Sequence, residues 1–147
     1  MDDSVIKLFV VSKWEVEDIR DFDRNTLVIS ITSPGSKEAN ITGESVFRFQ
    51  FHDVMAVHTV RDQIIRPLDR EIAKAIAEVA MNHRDKKTWV IHCEAGVSRS
   101  PGVAIGLSRY LRFTTPRERL KSLFPSYNRY VVKMIEDAME EKINKGG

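Results

Sequence analysis

The chain predicts an α/β fold: a central, mostly parallel sheet of four to five strands flanked by helices on both faces. Three features carry that expectation. Short apolar, β-like runs alternate along the sequence with stretches whose apolar residues recur at helical period. The last strand-like run, Thr88-Trp89-Val90-Ile91, leads into a glycine-containing loop and then a helix-like stretch, the place where open α/β sheets put ligands. With 147 residues there is enough chain for one hydrophobic core, so positions 1–147 read as a single domain.

In order, Val5 to Val11 reads as a strand, and Ser12-Lys13-Trp14-Glu15 as a capping box opening a short helix to about Arg20. Thr26 to Ile31 is β-branched and apolar, fitting a buried strand, and Ser33-Pro34-Gly35-Ser36 is a turn. Val46 to Phe51 alternates apolar and polar residues as a half-buried strand does, and a long loop from His52 to Arg66 follows. Pro67 marks a helix start, with Ile72, Ala73, Ile76, Val79 and Ala80 as its core stripe. Thr88 to His92 is the strand before the loop. Three helices complete the chain: Arg99 to Phe113, one opened by a Thr115-Pro116-Arg117-Glu118 capping box, and one from about Asn128 to Ile143. Trp14 and Trp89 read as core or partly buried anchors.

Composition narrows the function classes. Net charge is +2 and the isoelectric point near 8.7, too mild a basicity to argue for nucleic acid and compatible with an anionic ligand. A single cysteine excludes an internal disulfide and suits a reducing compartment. The acidic segment Met1-Asp2-Asp3-Ser4 and the short run broken by Lys7 resemble neither signal peptide nor membrane span, so a cytoplasmic location is expected. His52, His58 and His83 have no metal-ligand spacing with Cys93, so no metal or other cofactor is expected. Nothing in the sequence implies an oligomer.

The chemistry concentrates in His92-Cys93-Glu94-Ala95-Gly96-Val97-Ser98-Arg99-Ser100. A thiol at a strand end, a five-residue loop, an arginine and a helix N-terminus each favour negative charge at one place. Backbone N–H groups of Glu94, Ala95, Gly96, Val97 and Ser98 can converge on a phosphate or similar oxyanion, and Arg99 adds a planar fork of donors. Cys93 in that field is the candidate nucleophile. Gly96 supplies either a positive φ or a close backbone approach.

This nine-residue stretch resembles the signature of the cysteine-dependent protein tyrosine phosphatases, and its form HCEAGVSRSP is similar to that of the compact dual-specificity and bacterial or viral single-domain enzymes. The likeness is strongest from about Val46 to Arg109. It implies a protein tyrosine phosphatase-like fold and a phosphorylated protein or peptide as substrate, with phosphotyrosine first and phosphoserine or phosphothreonine in addition. It also implies that Ser100 stabilises the departing thiolate and that His92 orients the loop without acting as a base. Asn128, in Pro125-Ser126-Tyr127-Asn128-Arg129-Tyr130, is implied to support the loop by a hydrogen bond.

A leaving oxygen needs a proton, so a carboxylic acid should face the cradle. Asp53, at the end of a strand and the head of a loop, matches the position of the family's general acid. It stands forty positions before Cys93, however, whereas Asp62 in the same loop stands thirty-one before it, so Asp62 is the alternative. Rival functions are a phosphoinositide or RNA 5′-phosphatase with the same machinery, a phosphate-binding module without turnover, and, more remotely, a rhodanese-like sulfurtransferase. The absence of lysine from the loop weighs against inositol headgroups.

Overall fold

The apolar runs do become strands. In a computed structural model describing residues 5–55 and 58–146, β1 (Lys7–Ser12), β2 (Thr26–Thr32), β3 (Val46–Gln50) and β6 (Thr88–Cys93) form one four-stranded sheet in the order β1-β6-β2-β3, with every pair parallel. The acidic residues at positions 1–4 lie outside the described residues. The two central strands are the most buried, as a sheet covered on both faces requires. The edge strand β3 is half-buried along its whole length, without the alternation that its sequence suggested.

Alternate residues of the central strands feed two cores. Leu27, Ile29, Ile31, Trp89 and Ile91 join the larger one. On that face lie α2 (Arg70–Asn82), α3 (Arg99–Ser108), α4 (Arg117–Leu123) and α5 (Arg129–Gly146). Val28 and Val90 point the other way, into a smaller core with Val16 of α1 (Lys13–Ile19), Ala39 and Ile41. Arg48 of β3 holds the loop over this face by donating to the carbonyls of Ala39 (2.9 Å) and Ile41 (3.0 Å). One helix and a strapped loop therefore cover what four helices cover opposite.

The capping box of α1 forms as read: Ser12 Oγ accepts from the Glu15 amide at 3.2 Å, and Glu15 Oε1 from the Ser12 amide at 2.9 Å. Other boundaries differ. The His52–Arg66 segment contains an antiparallel hairpin, β4 (His58–Val60) and β5 (Gln63–Ile65), turned by Arg61 and Asp62 at φ 49° and 66°. The helix expected at Pro67 starts at Arg70 because the Asp69 carboxylate caps it, accepting from the Ile72 amide at 2.8 Å. Helix α3 stops at Ser108 instead of Phe113. Its next residues are drawn to β1: the Arg112 carbonyl accepts from the Ile6 amide (2.8 Å), and the Thr114 amide donates to Ile6 O (2.9 Å). The Thr115 capping box does not form; Pro116 takes the cap position without a side-chain bond. Trp89 is fully buried, but Trp14 is 81% exposed on α1 and anchors nothing in the core.

Two glycines let α3 and α5 touch. A Cβ at Gly102 would come within 2.9 Å of the Asn128 carbonyl, and one at Gly106 within 2.8 Å of Ile135. This contact fixes where α5 begins, and so where Asn128 sits.

Candidate active site

The sheet places the thiol. Parallel pairing puts Cys93 opposite Ser12 at the end of β1, and alternation along β6 turns Cys93 toward the larger core and His92 toward the smaller. Cys93 is 2% exposed. Its Sγ lies 3.2 Å from Ser100 Oγ and accepts from the Gly96 amide at 3.2 Å.

The carbonyls at the two ends of the loop are engaged by neighbouring groups. Cys93 O faces His92 Nδ1 (3.2 Å), Glu94 O accepts from the Lys13 amide (3.1 Å), and Ser98 O accepts from the amides of Gly102 and Asn128 (both 3.0 Å). Gly96 has φ 77°, and a Cβ there would stand 2.7 Å from the backbone of Val11 and Ser12. Both reasons for a glycine therefore hold, but the close approach is to the end of β1. Ser98 heads α3 with no side-chain cap bond. The first amides of that helix thus remain available to an anion.

Arg99, the first residue of α3, is buried and gripped from one side. Its Nη1 donates to the Phe51 carbonyl (2.8 Å) and Ser33 Oγ (3.0 Å), and its Nη2 to Glu94 Oε1 (3.1 Å). The Ser33 hydroxyl beside Glu94 holds that carboxyl below its ordinary value of 4.5, with Arg99 contributing. Glu94 was expected to contribute its amide more than its side chain; its side chain is in fact part of the arginine's seat. Ser33, expected only as a turn residue, was missed altogether. The signal was a hydroxyl just past the end of a buried strand that neighbours the one carrying Cys93.

Across the loop, Asp53 Oδ1 accepts from Ser98 Oγ (2.8 Å) and Asn128 Nδ2 (2.9 Å). Asn128 is buried, and its Oδ1 accepts from the Val131 amide at 3.0 Å, so one side chain both starts α5 and tethers Asp53. Its bond reaches the loop through Asp53, while its backbone amide reaches Ser98 directly. Asp62 is exposed at the tip of the β4–β5 hairpin.

His92 is fully buried, and burial pushes its pKa below 6.5. A carbonyl only accepts, so Nδ1 carries the proton toward Cys93 O, and Nε2 accepts from Ser30 Oγ at 2.6 Å. The neutral ring thus ties β6 to β2 behind the thiol. Ala95 and Val97 are exposed at the rim. Among the described residues, no three His, Cys, Asp or Glu side chains are grouped so as to hold a metal ion, and no helix is long and apolar enough to cross a membrane.

No family model and no curated protein matches the sequence. The fold is similar to the crystal structure of human DUSP28, a dual-specificity phosphatase, with TM-score 0.52 and 17% identity over 94% of each chain. At that identity the likeness concerns the backbone: a compact cysteine phosphatase fold of the dual-specificity type.

Proposed function

We propose that this chain hydrolyses phosphomonoesters of proteins, phosphotyrosine first, through a cysteinyl-phosphate intermediate. The observation that carries this reading is the convergence on one loop of a thiol receiving two hydrogen-bond partners, an arginine seated by three acceptors and a carboxylate tethered across the opening. In the first step Cys93 Sγ attacks phosphorus while the loop amides and Arg99 hold the non-bridging oxygens. The bond to the leaving oxygen breaks, and Asp53 gives that oxygen its proton. Water then attacks the thiophosphoryl group, Asp53 takes the proton back, and the S–P bond breaks with the Ser100 hydroxyl turned toward the departing sulfur. The tethers on Asp53 favour it over Asp62. A reducing, cytoplasmic setting suits the lone thiol.

The test compares wild type and Cys93→Ser on phosphotyrosine peptides, phosphoserine peptides, an inositol phosphate and a 5′-triphosphorylated RNA. Turnover of the phosphotyrosine peptides, lost in Cys93→Ser while phosphate still binds, is the expected result. Turnover confined to the inositol phosphate or RNA would reassign the substrate. Phosphate binding without any turnover would leave only a binding module.

A further inference from the structure

We infer that Ser33 is a positioning residue for the phosphate-binding arginine, setting which N–H groups Arg99 presents to an oxyanion; the inference deepens the proposed function and rests on it. Ser33 directly follows β2, whose neighbour β6 carries Cys93. Its single hydroxyl makes two bonds at once, accepting from Arg99 Nη1 at 3.0 Å and donating to Glu94 Oε1 at 2.8 Å. Its amide adds a third, donating to the same Glu94 oxygen at 3.2 Å. The Pro34-Gly35 turn holds this residue in place: Ser36 N–H donates to Ser33 O at 2.9 Å, and Gly35 takes φ 84°.

The consequence lies in how the guanidinium is divided. Ser33, the Phe51 carbonyl and Glu94 take three of its five N–H groups. Nε–H and the second Nη2–H have no protein partner among the described residues, and they form the parallel pair that matches two oxygens of a phosphate. Glu94 alone would be a poor seat, because a carboxylate can itself take an arginine fork in bidentate fashion and compete with the ligand. With Ser33 donating twice to one oxygen of Glu94, that oxygen is occupied and the carboxylate is kept on the far edge of the guanidinium. Ser33 thereby makes an acidic neighbour into a support instead of a competitor.

The experiment measures inorganic phosphate and orthovanadate binding, along with KM and kcat on an aryl phosphate, for wild type, Ser33→Ala, Ser33→Thr and Glu94→Gln. Ser33→Ala should weaken oxyanion binding and raise KM about tenfold, as loss of hydrogen bonds to charged groups does, with little change in thermal midpoint. Ser33→Thr, which keeps the hydroxyl on a strand-compatible side chain, should recover most of the loss. In a Glu94→Gln background Ser33→Ala should matter less, because the competitor is already neutral. Unchanged phosphate affinity in Ser33→Ala, or a Thr variant as weak as Ala, would overturn the inference while leaving hydrolysis standing. Wild type that binds phosphate but turns nothing over would instead sink the hydrolytic reading, and the binding comparison would still decide the role of Ser33.

Discussion

The two corners of the cradle are built from different parts of the molecule. The arginine corner is assembled from strand ends: Ser33 after β2, Phe51 after β3 and Glu94 after β6 all close on a buried guanidinium. The acid corner hangs on an exposed loop, where Asp53 is tied by one hydroxyl and one amide to Ser98 and Asn128. Three neighbouring strands of one parallel sheet cannot move independently, whereas a loop held by two side chains can. On the proposed reaction, the difference suits each corner to its work. Phosphate binding needs a fixed geometry from the first encounter, while the acid must reach different leaving groups and then serve the incoming water.

The sharpest way to break this comparison is to change one corner and read out the other. Asp53→Asn should slow an alkyl phosphate or other poor leaving group by roughly 10²–10⁴-fold and a good leaving group far less, with phosphate affinity preserved. Asp62→Asn should do neither. Steady-state rates across leaving groups of graded pKa decide it: a flat loss across the series removes Asp53 from the role of acid, and a matching loss of phosphate affinity would mean that the corners are not separable.

A smaller effect should come from the helix contact behind the acid. Gly102→Ala would place a methyl group 2.9 Å from the Asn128 carbonyl, and the atom in the way is backbone. Overpacking of this kind costs about 1–3 kcal/mol. Because the start of α5 must give, Asn128 and with it Asp53 should be displaced. The expected signature is a lowered denaturation midpoint and a reduced rate on poor leaving groups, with oxyanion binding intact. Equal loss of phosphate affinity would show that the α3–α5 contact supports the arginine corner as well.

The same contrast explains what was legible in the sequence. Strands, the parallel sheet and the Cys93 loop follow from local signals: β-branched runs, a capping box at Ser12, and chemistry spaced within nine residues. Asp53 was preferred for its place after a strand, with Asp62 kept as the alternative, because the hairpin that carries Asp62 is turned by Arg61 and Asp62 in place of the usual glycine or asparagine and was not legible. Ser33 and the side chain of Glu94 were missed since Ser33 stands 66 residues from Arg99 and 61 from Glu94, and the three meet only once β2 pairs with β6. The exposed Trp14 eluded composition for a related reason. Hydrophobicity predicts burial only where the fold supplies a surface to bury against, and α1 spends its single buried position on Val16.

The smallest effect expected belongs to the rigid side and tests whether its backing is neutral. His92 joins the Cys93 carbonyl to Ser30 of β2, and burial, aided by the charges of Arg48 and Lys13, holds its pKa below 6.5. Above 6.5 the folded and unfolded chains both carry a neutral ring, so the group makes no difference to stability with pH. As pH falls below 6.5 the unfolded chain takes up a proton that the folded one refuses, and stability declines until the folded-state pKa is reached, by at most ~1.4 kcal/mol per pH unit. Thermal midpoints of wild type should therefore drop across that window, and those of His92→Gln should drop less, since an amide has no proton to refuse. If the two chains lose stability in parallel, the ring is charged in the folded state. The Ser30 hydroxyl would then be accepting from Nε2, and the tie behind the thiol would be ionic in character.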